Sequence, residues 1–98
     1  MAKVYHTGIT DEARIRKILE EEGYFNIFRW CDGAGTRYAE HTHPHREVRW
    51  ILSGRLQIVE HGVTLDLGPG DRMESEAEVP HSAFVPEDVC YICASLKP

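Results

Sequence analysis

Two periodicities divide the chain. Residues 10–22, TDEARIRKILEEE, set Ile15, Ile18 and Leu19 on one stripe at the spacing of a helix. Thr10 can cap this helix, Asp11 and Glu12 suit its positive end, and Gly23 can stop it. Glu20, Glu21 and Glu22 at the negative end read as a solvated face. The apolar stripe needs a surface to cover. After Gly23, short runs rich in Tyr, Phe, Ile, Val and Trp are broken by Gly, Pro and Asp every eight to twelve residues or so, the rhythm of an antiparallel barrel or sandwich. Strands are predicted at 24–31, 36–43, 47–53, 55–60, 63–67, 71–75, 82–85 and 89–96. DGAG (32–35), SG (53–54), HG (61–62) and GPGD (68–71) are the expected turns, where glycine supplies positive φ.

Strand alternation assigns faces. If Glu47 points inward, Arg49 and Ile51 follow it, and Val48, Trp50 and Leu52 face out. An outward Trp50 calls for a cover, either the amphipathic helix or a second subunit, so a homodimer is expected.

Composition narrows the class. Ninety-eight residues, 42% hydrophobic and 28% charged, suffice for one domain, 1–98, with a helix at about 10–22 and a β core at about 24–96. The net charge of −5 with no basic run argues against nucleic acid and anionic membrane surfaces and favours a small-molecule partner. MAKVYHTGIT has no apolar stretch of signal-peptide length, so a cytoplasmic location is expected. Three cysteines, an odd number in such a chain, predict no disulfide framework. Cys90 and Cys93 form a CxxC inside the strand-like VCYICASL; three residues apart on a strand, their sulfurs face opposite sides and read as small core groups.

The chemistry concentrates in EHTHPHRE, residues 40–47, which holds three of the six histidines. In a strand, His41 and His43 project from one face about 6.6 Å apart, close enough for two imidazoles to share an ion about 2.1 Å from each ring nitrogen. Pro44 ends the strand, and Glu47 opens the next one, where a carboxylate can fill a third position. Local spacing leaves two readings open, a metal site or solvated histidines on a hairpin tip. His45, beyond Pro44, faces solvent or the cavity mouth; His61, in the His61-Gly62 turn, and His6, in the tail, are surface residues. No serine or cysteine stands in an activating context for nucleophilic catalysis.

The wider spacing resembles a known family. Gly35, His41, His43, Glu47 and Gly54 match without exception the first signature of the cupins. Gly70 and His81 stand at the separation of the second signature, whereas Glu76 and Glu78 replace its proline and glycine and Val85 its asparagine, which bears on loop shape and substrate. The resemblance covers residues 35–85 and implies a mainly β fold, a cupin-type jelly-roll β-barrel with one short N-terminal helix. It also implies that His41, His43, Glu47 and His81 carry one divalent transition metal ion. From the residues alone, His81 opens a new strand after Pro80.

A His/Glu donor set without thiolate suits Fe, Mn, Ni or Zn and leaves coordination positions free. Cupins of this kind are often dioxygenases or decarboxylases. By that likeness, the expected function is a metal-dependent dioxygenase-like enzyme, or a related oxidoreductase or lyase, acting on a small oxygen-rich molecule. The alternatives are a non-enzymatic ligand-binding or sensor module and a sugar isomerase or epimerase. Regular strands would give Arg37 and Arg49 the inward parity of the ligands, so either could clamp a substrate carboxylate; the competing reading is a rim arginine paired with Glu74, Glu76 or Glu78. Tyr38 and Phe84 could wall a pocket or simply pack.

Overall fold

Alternating apolar positions build seven strands, described here in a computed structural model that covers residues 2–97. They are β1 (Lys3–His6), β2 (Phe25–Asp32), β3 (Arg37–His41), β4 (Arg46–Glu60), β5 (Val63–Leu67), β6 (Asp71–Ser75) and β7 (His81–Leu96), with one helix, α1 (Glu12–Glu21). All pairings are antiparallel, in the order β1-β6-β4-β7-β2, with β3 added to β7 and β5 to β4. The fold is mainly β with one short helix, as expected. The sheet curls without closing, so the barrel is open.

Local chemistry explains the helix. Asp11, rather than Thr10, is the cap: its carboxylate accepts from the Ala13 N–H at 3.3 Å. Gly23, at φ +90°, stops the helix. Ile15 and Leu19 are fully buried against Val48, Trp50, Ile92 and Ala94 on the outer face of β4 and β7. The Trp50 indole N–H donates to the Ile9 carbonyl at 2.9 Å. The helix is therefore the cover that Trp50 required, and that requirement is met within the chain.

The opposite face of the same strands forms a second cluster, in which Ile51, Leu56, Ile58, Leu67, Met73, Val85 and Val89 pack inside the curl. Val48, Trp50 and Leu52 thus face out and Ile51 faces in, as alternation predicts.

Three expectations about the strands are corrected. The chain does not turn at Ser53-Gly54: β4 runs on for 15 residues through a series of register shifts between Ile51 and Gln57. Gly54 sits in that irregular stretch at φ +77°, pressed so closely on β7 that a Cβ would lie 1.8 Å from the Asp88 carbonyl oxygen. The segments at 82–85 and 89–96 are one 16-residue strand. Residues 3–6, read as tail, form β1 on β6, where exposed His6 pairs with Asp71 at 2.6 Å; four residues with a single half-buried apolar group carry too little pattern to be recognised.

The expectation of no disulfide is also corrected. Cys31 and Cys90 stand directly opposite on β2 and β7 and are bonded, leaving Cys93 as the free thiol. Cysteine counting cannot see that two distant strands align these residues. Cys90 and Cys93 do point to opposite faces, and Cys93 lines the inner cavity. Among the described residues, no helix is long and apolar enough to cross a membrane.

Candidate metal centre

Inside the curl lies a cavity of about 360 Å³. At one side of it three imidazoles converge. His41 ends β3 and His81 begins β7, directly opposite each other in the ladder. His43 lies beyond β3, in the loop, and not in the strand that the i, i+2 spacing suggested. Its backbone carbonyl accepts from the Glu78 N–H at 2.8 Å, which fixes the loop where Pro44 breaks the strand. Ring centroids are 4.7 Å apart for His41–His43 and His41–His81, and 5.1 Å for His43–His81. One ligating atom from each ring lies within 4.8 Å of the others. Glu47, at the start of β4, stands beside this group, its Oε2 at 3.4 Å from the Nδ1 of His43.

The rings are oriented from behind. His41 Nδ1 is 2.7 Å from the Ala39 carbonyl and His81 Nδ1 is 3.3 Å from the Val79 carbonyl. A carbonyl only accepts, so each Nδ1 must carry the proton and each Nε2 presents a lone pair. The Nε2 atoms of His43 and His81 are buried with no hydrogen-bond partner among the described residues. Unpartnered buried nitrogens are costly unless something else binds them. Burial, reinforced by the Arg49 charge and the neighbouring imidazoles, pushes His81 down to about 4. Burial likewise lowers His43, against the opposing pull of Glu47. Both rings are therefore neutral at ordinary pH, the form that coordinates a cation. Nitrogens so disposed, with a carboxylate alongside, fit a divalent transition metal.

The two arginines part company. Arg49 is buried on the inner face of β4, with its Nη2 at 3.6 Å from Glu47 Oε1. Arg37 is not in the cavity: it is exposed and lies 4.3 Å over the ring of Phe84, which also faces away. The cause is the register shift between Tyr38 and His41, which turns both of those side chains inward and leaves Arg37 on the other face. His45 packs edge-on against Phe25 at 5.3 Å, and His61 stays exposed on its turn.

Phe28, Trp30, Tyr91 and Cys93 also line the cavity, although the sequence did not single them out as site residues. Alternation in Phe28-Arg29-Trp30 and Tyr91-Ile92-Cys93 was the available signal, and strand pairing Phe28 to Cys93 and Trp30 to Tyr91 completes the wall. The Trp30 indole N–H donates to the Tyr38 hydroxyl at 3.3 Å, which donates to Asp32 at 2.8 Å. Burial drives the Cys93 thiol up to about 11, so it stays protonated.

The second-motif departures have physical readings. Glu78, where the signature has glycine, adopts φ +62°. Glu76 pairs with Arg46 at 2.7 Å on the surface, and Val85 is fully buried in the inner cluster.

Comparison with known proteins agrees with this architecture. The cupin domain family matches residues 28–94. No curated protein sequence matches the chain. Among solved structures, a cupin superfamily protein from Desulfitobacterium hafniense DCB-2 is 19% identical with TM-score 0.68, over 74% of this chain and 66% of its own. The DMSP lyase of Ruegeria pomeroyi DSS-3 is 25% identical with TM-score 0.66, over 71% of this chain and 36% of its own. A DUF861 family protein from Thermotoga maritima is 15% identical with TM-score 0.70, over 98% of this chain and 100% of its own. The chain thus spans just under two thirds of the first protein's length and about a third of the lyase's.

Proposed function

This chain belongs to the cupin family, with the domain matching over residues 28–94, and on that premise we propose that it is a metal-dependent cupin enzyme, dioxygenase-like or a related lyase, for a small oxygen-bearing molecule. The observation that carries the reading is the convergence of His41, His43 and His81, with two buried Nε2 atoms lacking any other partner among the described residues. His41, His43 and His81 would hold the ion, and Glu47 would add the anionic donor from beside His43. A divalent ion there would supply a Lewis acid with coordination positions left for the reacting molecule.

The protein groups around it have separable tasks. The Ala39 and Val79 carbonyls hold two rings in the ligating tautomer. Phe28, Leu56, Ile58 and Tyr91 give the cavity a largely apolar wall, which would strengthen charge interactions wherever a bound molecule displaces water. The Trp30–Tyr38–Asp32 chain ties β2 to β3 across the wall. The solved lyase of the same fold supports an elimination as readily as an oxidation. A sugar-phosphate isomerase is less well supported, because Arg49 is the one Lys or Arg side chain lining the cavity among the described residues.

Elemental analysis of the purified protein against a His43→Ala variant tests the site. We expect a transition metal near one equivalent per chain in the wild type and a loss of about tenfold or more in the variant. Equal metal in the two proteins would remove the site. Oxygen uptake with enediols and diketones, and product analysis for elimination, then separate the two reaction types. A tightly held ligand without turnover would mark a binding module instead.

A further inference from the structure

Among the described residues that line the cavity, Arg49 is the one charged group that ion binding does not use. Arg49 is only 9% exposed at its side chain, and its Nη1 is buried without a hydrogen-bond partner among the described residues. Glu47, the single acid lining the cavity among the described residues, lies 3.6 Å from Nη2, beyond a good hydrogen bond. A buried guanidinium with an unmet donor is strongly unfavourable unless an anion completes it.

The charge balance points the same way. If Glu47 serves the ion, its charge is already engaged. With Glu47 so engaged, no other acid lining the cavity among the described residues is left to compensate Arg49. The walls decide the rest of the ligand. Phe28, Leu56 and Ile58 offer nothing to hydroxyl groups, and with the rings of Trp30 and Tyr91 they give the cavity a largely apolar wall.

We infer that Arg49 is the seat of a ligand carboxylate, and that the substrate class is a small monocarboxylic acid whose apolar body lies against Phe28, Trp30 and Tyr91. The planar fork of arginine matches a carboxylate through two parallel hydrogen bonds, and Nη1 is the free prong. The volume of about 360 Å³ is at the lower end for ligand pockets, which favours a compact acid. The inference rests on the metal reading for the charge argument, while the unmet donor stands without it.

The test is calorimetric titration of the purified protein with acetate, butyrate and phenylacetate and with the matching neutral amides. Each acid with an apolar body should bind at least about tenfold tighter than its amide, because a site built for a charged partner is left unpaired by the isostere. Arg49→Gln should abolish that preference and leave amide binding alone. Arg49→Lys, which keeps the charge and loses the fork, should retain part of it, and circular dichroism verifies that each variant is folded. Should neither variant fold, the acid-to-amide ratio of the wild type decides by itself. Equal affinity for acid and amide, no binding of any acid, or full acid binding by Arg49→Gln would overturn the inference. Metal content measured on the same samples keeps the two readings apart. Metal in the wild type without acid preference sinks the carboxylate seat alone, and acid preference together with equal metal content in wild type and His43→Ala sinks the metal centre alone.

Discussion

Glu78 stands where the cupin signature has glycine, and its backbone takes a conformation that favours glycine. A left-handed conformation costs a side chain about 1–2 kcal/mol, yet Glu78 keeps φ +62° because its N–H anchors the carbonyl of His43. Glu78→Gly should relieve this cost, less the entropy glycine loses on folding, for a net gain of about 0.5 kcal/mol. Thermal denaturation should show the midpoint rising by about 2–4 °C, with metal content unchanged; a lower midpoint would mean that the glutamate side chain contributes more than its backbone costs. Glu22 and Arg72 offer a second case. Two hydrogen bonds, 2.9 and 2.5 Å, join Glu22 to an arginine that also lies near the rings of Trp50 and Tyr24. Hydrogen bonding to Arg72 holds the Glu22 carboxyl below its ordinary value of 4.5. A depressed folded-state pKa gives stability that is full above the unfolded value and is lost as pH falls through the folded one. Wild type should therefore exceed Glu22→Gln at pH 7, by less than about 1 kcal/mol because the 41% exposed Glu22 is screened by water. That gap should close as pH drops below 4.5. A gap that persists in acid would show that the pair's charge is not its source.

Among the elements, β4 does most to shape the site. Its first half presents Glu47 and Arg49 to the cavity and Trp50 to the helix, and its second half presents Leu56 and Ile58 to the cavity wall. The register shifts between Ile51 and Gln57 let one long strand serve both. Gly54 is the tightest point, since any Cβ there would collide with β7 backbone, which cannot swing aside as a side chain can. Gly54→Ala should cost more than about 2 kcal/mol, from the clash and the positive φ together. A urea midpoint unchanged from wild type would show that the two strands can separate freely at this point. The same reasoning explains the site arginines. A shift in β3 between Tyr38 and His41 exchanges faces, so Arg37 is lost to the cavity while Arg49, on the regular start of β4, is kept.

At the scale of the whole molecule, the Cys31–Cys90 bond ties β2 to β7 across a separation of 59 residues. Closing so long a loop restricts the unfolded chain by an amount corresponding to about 2–4 kcal/mol. The thermal midpoint should fall in reductant, and thiol titration of the denatured, unreduced protein should find Cys93 alone. Three reactive thiols and a midpoint indifferent to reductant would show that the bond is absent. What the sequence determined by itself was local: the mainly β pattern, one amphipathic helix, the faces of Val48, Trp50 and Ile51, and the spacing of His41, His43, Glu47 and His81 along the chain. Tertiary structure decided which side chains meet. A period of two is a property of a single strand, but a register shift that flips its faces is set by the partner strand, tens of residues away. Hence the residue pattern by itself could not reveal that His41 faces His81, which only the family resemblance implied, and nothing in the sequence showed that Arg37 turns out or that Cys31 finds Cys90.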